Sequence, residues 1–307
     1  MNKCLCCNKE LIDDSSIWHQ SCIKKFFGTN TIPTVDLSKY KIAFSSQSEN
    51  SSVVTGVQKK LSLHLEKNSS NPRLTLIDFP SGYILKTNTK EYPGMCENEY
   101  LTMHLAKICG IETIPFGLIK LEDNSLAYIT KRIDRVKNHK IAMEDFCQLG
   151  NVLTEQKYKS SYEQVGKILS QYSQNIGLDY YKLFNIILFS FITGNSDMHL
   201  KNFSIYKNKG KYVLSPAYDL INTLIMTDDN EELALSIDGK KRKFKTENFI
   251  NLAKRYNLLD VQIDRIFNNF TKNKNLILKT INDSLLTKDL KEKYIDIINN
   301  RYQRLFG

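Results

Sequence analysis

The sequence predicts an α+β protein of two lobes, a small β-rich lobe followed by a larger, mainly helical one. Three observations carry this. Between residues 53 and 133 the apolar side chains recur with period two in short runs. Beyond Asp134 they recur at helical spacing. At one place the most apolar run of the chain, YYKLFNIILFSFIT (180–193), opens directly into GNSDMHLKNF (194–203). Asp, His, Lys and Asn massed at the end of a buried element either cap a helix or serve chemistry.

Taken in order, residues 1–30 form a small Cys-bearing head, and residues 31–50, rich in Ser, Thr and Asn, read as irregular. KLSLHLE, RLTLIDF and GYILKT are strand candidates, the first with strict alternation. CENEYLTMHLAKICG (96–110) has the spacing of a helix and a Gly at its natural stop. IPFGLIKLEDNSLAYITKRI reads as two strands about an Asp-Asn-Ser turn. The first lobe is therefore expected over 31–133, mostly antiparallel. Over 134–307 the segments MEDFCQLGNVL, SYEQVGKILSQYSQNI and the apolar run are helix candidates. FSIYKNKGKYVLSP is a hairpin turning at 208–210, and TENFINLAKRY, DVQIDRIFNNF and KDLKEKYIDIINNRYQRLF are amphipathic helices. A β-rich lobe followed by a helical one is an arrangement that can hold a ligand in the cleft between them.

The 307 residues suffice for one large domain or two ordinary ones. No stretch reaches the roughly 18 apolar residues of a membrane span, and MNKCLCCNKELIDD has no signal-peptide core. A cytoplasmic protein with no membrane partner is expected. Seven Cys, an odd number, point to thiols or metal ligands rather than disulfides. The net charge of +10 is spread along the chain. Its densest cluster, GKKRKFK (239–245) after a strand-like LALSI, reads as a solvated loop. Such a field favours anionic ligands such as nucleotides. No helix-turn-helix or basic face indicates direct nucleic-acid binding.

Asp197 and Asn202 stand five apart, the spacing of the protein-kinase catalytic loop, in which an Asp accepts a hydroxyl proton and an Asn holds a metal ion. Phosphoryl transfer needs a carboxylate beside the attacking oxygen, oxygen ligands for Mg²⁺, and a second carboxylate on the metal. SPAYDL supplies Asp219, 22 residues beyond Asp197 and just after the hairpin. The same chemistry demands a strand Lys for the phosphates and a helix Glu to hold it. GYILKT offers Lys86, and the next helix offers Glu97 and Glu99. A Gly-rich phosphate cover is met poorly, because SSVVTGVQKKLSL contains a single Gly, Gly56.

VTGVQKKLSL, GYILKT, PGMCENEYLTMHLAK, KRIDR, MEDFCQ, GNSDMHLKNFSIY and SPAYDL occur in this order. Together they resemble the HipA-like serine/threonine kinases, the toxins of bacterial toxin–antitoxin modules, over about residues 50–225. The chain is most similar to the short HipT type, which lacks an N-terminal subdomain carried elsewhere by a separate small protein. The resemblance implies a two-lobed protein-kinase-like fold. It makes Asp197 the catalytic base, with His199 and Lys201 near the phosphates, and Asn202 and Asp219 the Mg²⁺ ligands. Lys86 would contact ATP phosphates with Glu99 as its partner. Residues 130–133 would be the hinge meeting adenine, through Thr130, Lys131 and Ile133, with Ile133 replacing an aromatic often seen there. The loop around Gly56 and Val57 would cover the nucleotide. Ser residues before that Gly are autophosphorylated in the family. Here Thr55 and Val53 stand one and three before Gly56, so Ser52 and Thr55 become the candidates. A phosphate of charge near −2 there would compete with ATP for the same cations. By resemblance the substrate is an aminoacyl-tRNA synthetase, tryptophanyl- or glutamyl-, and the partners are antitoxin proteins, one of them DNA-binding.

Cys4, Cys7, His19 and Cys22 give C-x₂-C-x₁₁-H-x₂-C, a plausible structural Zn²⁺ set, with Cys6 as a spare thiol. The rival readings of the whole chain are a small-molecule phosphotransferase, which shares the D-x₄-N loop, and a degenerate kinase serving as an antitoxin-binding module. KRIDR and MEDFCQ argue against the first. Intact Lys86, Asp197, Asn202 and Asp219 argue against the second.

Overall fold

The computed structural model describes residues 3–13, 16–36, 60–67, 71–76, 82–136 and 139–307. The chain divides into two compact units, Met1–Tyr100 with Ile114–His139, and Leu101–Thr113 with Lys140–Gly307.

The first unit is built on strands β1 (Thr34–Asp36), β2 (Lys60–Glu66), β3 (Arg73–Leu76), β4 (Tyr83–Thr87), β5 (Phe116–Lys120) and β6 (Leu126–Lys131). They form one sheet in the order β1-β3-β2-β4-β6-β5. β1 runs parallel to β3 and the other pairings are antiparallel. The alternation of KLSLHLE is realised directly: Leu61, Leu63 and Leu65 of β2 are buried and their neighbours are not. Between β5 and β6 the turn uses Asn124 at φ 63°, a conformation Asn tolerates. β1 corrects the expectation that 31–50 begins irregularly.

The head shares the core of this sheet. It contributes one short helix, α1 (Gln20–Phe26). Cys4, Trp18, Ile23, Phe26 and Phe27 pack into a single buried cluster with Leu63, Leu85 and Ile129. Phe26 and Phe27 are in ring contact with each other and with both Trp18 and Tyr83, with centroids 4.8–5.8 Å apart. The indole Nε1 donates to Leu118 O at 2.8 Å. Gly117 on β5 makes the approach possible, because a Cβ there would lie 2.5 Å from Trp18 Cζ2.

The helix α2 (Met95–Ile108) begins in the first unit and continues into the second. After the two-residue strands β7 (Arg135–Val136) and β8 (His139–Lys140) comes β9 (Met143–Asp145), then α3 (Phe146–Leu149), α4 (Tyr162–Tyr172) and α5 (Ile176–Ile192). A hairpin of β10 (Ser204–Asn208) and β11 (Lys211–Leu214) follows, then α6 (Thr246–Arg255), α7 (Asp260–Asn282) and α8 (Lys288–Phe306). The hairpin turns through Lys209 and Gly210, both at positive φ, as a two-residue turn of this hand requires.

Two expectations are corrected here. MEDFCQLGNVL is a helix only over Phe146–Leu149. Its first three residues form β9, which pairs with β10 in a sheet of order β11-β10-β9. Asp145 starts the helix with a capping box to Gln148 and Gly150 ends it, so one turn is all the segment holds. LALSI makes only isolated bridges, among them Ser161 to Ser236, although Leu233, Ala234, Leu235 and Ile237 are fully buried. The GKKRKFK loop is exposed except for Lys241, half-buried and paired with Glu231, and Phe244, which packs against Phe191 and Phe249.

α5 is the centre of the second unit. Its C-terminal half is buried on every side, the behaviour of a helix apolar all round. Phe191 near its end lies beneath the guanidiniums of Arg301 (4.5 Å) and Arg304 (5.3 Å) of α8. Both arginines pair with Glu232 at 2.6 Å. Burial alone would raise the Glu232 carboxyl, but the two arginines outweigh it and hold it below its ordinary range. Among the described residues no helix is long and apolar enough to cross a membrane.

Gly117→Ala should force the indole of Trp18 from its seat and destabilise the first unit by about 1–3 kcal/mol, the usual cost of overpacking. Chemical denaturation followed by Trp18 fluorescence checks this, and an unshifted midpoint would disprove the packing argument.

Candidate active site

In the first unit the sequence-predicted lysine and glutamate meet. Lys86 of β4 and Glu99 of α2 form an ion pair with Nζ 2.6 Å from Oε1, their side chains only 5% and 2% exposed. Antiparallel pairing sets Lys86 opposite Tyr128, whose ring lies 5.3 Å from the ammonium. Glu97, the other candidate, accepts instead from Asn88 Nδ2 at 2.9 Å, while Asn88 Oδ1 takes the N–H of Cys96 at the start of the helix. The two glutamates thus divide the work, one orienting the lysine and one the helix start.

Thr130 and Lys131 lie at the end of β6 and Ile133 just beyond it. The Thr130 hydroxyl donates to Pro115 O at 2.8 Å, as does the Lys131 N–H at 3.0 Å. The Lys131 ammonium points to the head, donating to Phe26 O at 3.0 Å, and burial lowers its pKa. Arg132 and Arg135 both grip Asp134. Ser52, Thr55, Gly56 and Val57 lie outside the described residues. In the head, the ligand atoms of Cys4, Cys7, His19 and Cys22 all lie within 4.8 Å of one another.

In the second unit, α5 delivers the chain to the loop. Residues 183–196 are buried without interruption, and Asp197 is the first to emerge, its side chain 45% exposed. Gly194, at φ 70°, makes the turn, and a Cβ there would lie 2.9 Å from Asn222 Oδ1. The loop then closes on itself. Asn195 Oδ1 accepts the Asp197 N–H at 3.0 Å, and the Asp197 carbonyl accepts from His199 N and from Asn202 Nδ2, each at 2.8 Å. With its Nδ2 so engaged, Asn202 keeps its amide oxygen as the end available to a cation. A one-turn 3₁₀ helix, Leu200–Asn202, carries it.

Asp219 follows β11 with φ 55°, a left-handed backbone that a non-Gly residue seldom adopts. Its neighbour Tyr218 fixes it to the loop: the phenol shares a hydrogen bond with Ser204 Oγ (2.6 Å) and donates to Lys201 O (3.0 Å). Lys201 Nζ is itself paired with Asp145 Oδ2 at 2.8 Å, which ties the loop to β9. His199 is buried, with Nε2 3.9 Å from Asp197 Oδ1 and Nδ1 without a hydrogen-bond partner. Burial pushes its imidazole down to about 4, assisted by Lys157 and opposed by Asp197 and Asp219, so the ring is neutral at pH 7. A buried neutral imidazole with an unpartnered nitrogen, an amide oxygen and two carboxylates form a donor set suited to a divalent cation and phosphate oxygens.

Several members of this site carried no readable signal. The Tyr158 hydroxyl donates to Asp197 Oδ1, and its ring meets His199 edge-on at 4.9 Å. It comes from a polar segment without periodicity. Thr223 accepts the Ser196 N–H at 2.8 Å, and Ser196 Oγ reaches Asp229 at 2.8 Å. Asp145 was hidden inside an expected helix.

A family model described as the HipA-like C-terminal domain matches residues 52–277. A Sinorhizobium fredii protein designated "Putative kinase Y4dM" is 31% identical over 175 residues, 52% of this chain and 42% of its own length. The serine/threonine-protein kinase toxin HipA of Shewanella oneidensis is 26% identical over 218 residues, 61% of this chain and 47% of its own length. The chain spans about half the length of the curated relatives it matches. Among solved structures, a Shewanella oneidensis complex of HipA, HipB and operator DNA superposes with TM-score 0.69 at 20% identity. That match covers 89% of this chain and 72% of the other, and it establishes likeness of fold.

The depressed His199 pKa has a consequence for stability. Between about pH 6.5 and 4 the unfolded chain takes up a proton that the folded one refuses, so stability is complete above 6.5 and falls as the pH drops toward 4. Thermal melts of the protein without nucleotide or metal should show this acid limb, on the order of a few kcal/mol deep. His199→Gln should flatten it, and an unchanged limb in that variant would assign it to other groups.

Proposed function

The chain belongs to the HipA-like C-terminal domain family, and from that membership we propose that it is an ATP- and Mg²⁺-dependent protein serine/threonine kinase. The observation that carries the proposal is the closed loop of residues 195–202. It presents the Asp197 carboxylate to solvent and turns the Asn202 amide by a hydrogen bond to the Asp197 carbonyl. Magnesium would be held by Asn202 and Asp219, and it supplies neutralisation of phosphate charge. Asp197 accepts the proton of the substrate hydroxyl as that oxygen bonds to the γ-phosphorus and the bond to ADP breaks. Its backbone is already immobilised, so little orientation remains to be lost on reaction. Lys86, oriented by Glu99, binds phosphate oxygens, and neutral His199 offers a nitrogen without adding charge. Lys201, engaged by Asp145, positions the loop.

The resemblance to short HipT-type toxins extends the proposal to self-phosphorylation at Ser52 or Thr55 beside Gly56, and to an aminoacyl-tRNA synthetase as substrate, tryptophanyl- or glutamyl-. Likeness to a HipA solved with HipB and operator DNA supports an antitoxin partner.

With ATP and Mg²⁺, intact-mass analysis should show added phosphate on the protein, and Asp197→Asn should slow phosphorylation of itself and of protein substrate by about 10²–10⁴-fold. A variant of undiminished rate would falsify the assignment of the base. ATP turnover on small hydroxylic molecules with no protein product would make the chain a small-molecule phosphotransferase instead. Asp219→Ala should abolish the Mg²⁺ dependence of ATP binding in calorimetry. Unaltered affinity would remove Asp219 from the metal.

A further inference from the structure

The head contains a cluster that phosphoryl transfer does not use. Cys4 and Cys7 lie in an irregular turn, His19 immediately precedes α1, and Cys22 lies in its first turn. Their four ligand atoms, three sulfurs and one imidazole nitrogen, are all within 4.8 Å of one another. In a tetrahedral zinc site, metal–sulfur bonds of about 2.3 Å and metal–nitrogen bonds of about 2.0–2.1 Å place neighbouring ligand atoms roughly 3.5–3.8 Å apart. Cys7 Sγ and His19 Nδ1 are 3.3 Å apart and no pair exceeds 4.8 Å, so about an ångström of side-chain adjustment closes the shell.

The histidine is oriented for this task. Its Nε2 lies 2.9 Å from Glu10 O, so that nitrogen carries the proton and donates it, and Nδ1 turns its lone pair toward the sulfurs. A backbone carbonyl holding the far nitrogen of a ligating imidazole is the usual outer support of a metal site. The sulfur of Cys4 is supported likewise, accepting the His19 N–H at 3.3 Å. A disulfide would employ two of the three sulfurs and give the imidazole no role, and Cys4, Cys7 and Cys22 are not joined by disulfides.

From this geometry we infer that the head binds one Zn²⁺ through Cys4 Sγ, Cys7 Sγ, His19 Nδ1 and Cys22 Sγ. On binding, the three thiols release their protons to solvent and the imidazole enters neutral, giving a site of net charge −1. Four protein ligands close the tetrahedron, so the metal is structural and has no open position for chemistry. Its effect reaches beyond the head. The Cys4 carbonyl accepts from Tyr100 OH at 3.1 Å, and the Leu5 carbonyl accepts from Leu118 N at 2.8 Å. The metal-bound turn thereby fastens both β5 and the helix residue next to Glu99.

The test uses the full chain. Purified protein should contain one equivalent of zinc by elemental analysis, and stepwise titration with a mercurial should release it as three thiols react. Replacement by Co²⁺ should give the visible bands and thiolate charge transfer of a tetrahedral S₃N site. Cys6→Ser should keep both signals, whereas Cys7→Ser and Cys22→Ser should lose the metal. Should those two variants fail to fold, the wild-type release stoichiometry and the cobalt spectrum decide. Folded wild-type protein that takes up neither ion, or a disulfide among Cys4, Cys7 and Cys22, would overturn the site. Loss of metal in Cys6→Ser would overturn the ligand set. None of these readouts depends on ATP, so kinase activity and zinc binding succeed or fail separately.

Discussion

The loop of residues 194–203 depends on one constraint: a chain buried over residues 183–196 must satisfy every backbone polar group before it reaches water. The end of α5 meets this by local closure. Thr193 Oγ1 donates to Phe189 O, Asn195 N to Ser190 O, and Gly194 O accepts from Thr223 N. Each bond removes an alternative path for the loop. By the time Asp197 emerges its direction is set by the core, not by the loop itself. Placing a functional group on a rigid, fully packed element holds it more precisely than a mobile surface segment can. The polar crowd that follows the apolar run is therefore a consequence of where that run ends.

The Lys86–Glu99 ion pair of the first unit and the Lys201–Asp145 pair of the second differ in kind. Lys86 and Glu99 are nearly inaccessible. Removing both charges from water costs about what their attraction returns, so such a pair is a weak device for stability compared with apolar side chains of the same volume. Its value is positional: it keeps an ammonium at one point on β4, with the Tyr128 ring beneath it. Lys201 and Asp145 are 35% and 17% exposed. Water screens that pair more, and its role is to join the loop to β9, whose register with β10 is fixed independently by backbone pairing.

Periodicity made much of the fold legible. β2 alternates over its whole length, α4 and the three C-terminal helices follow their apolar spacing, and α5 follows its continuous apolar run. Spacing, joined to the apolar run before it and the hairpin after it, also brought Asp197, Asn202 and Asp219 into one reading. What escaped was decided by partners distant in sequence. Met143–Asp145 is extended because β10 offers it an edge, which no local pattern records. Leu233, Ala234 and Leu235 are apolar enough for a strand, yet no described neighbour completes a ladder. Tyr158 reaches Asp197 from 39 positions away, in a segment whose composition reads as loop.

The head poses the opposite problem. Its aromatic residues explain how it adheres to the sheet, since Trp18, Phe26 and Phe27 are buried against Tyr83 and the β-strand core. They do not explain why residues 3–18 hold a fold of their own. Among its described residues there is no helix and one isolated bridge, Lys3 to Glu10. A chain so short buries too little apolar surface to offset the entropy of ordering it. Aromatic packing acts at one end, on Trp18 and beyond, while the turn that carries Cys4 and Cys7 is held by the burial of Cys4 in the same cluster and by hydrogen bonds to its Cys4 and Leu5 carbonyls. The proposed four-coordinate ion would add a constraint at that turn, because it would cross-link residues 4, 7, 19 and 22 at a single point. The sheet holds the head from one side, where the Cys4 and Leu5 carbonyls accept from Tyr100 of α2 and Leu118 of β5, and the proposed metal would close it from the other.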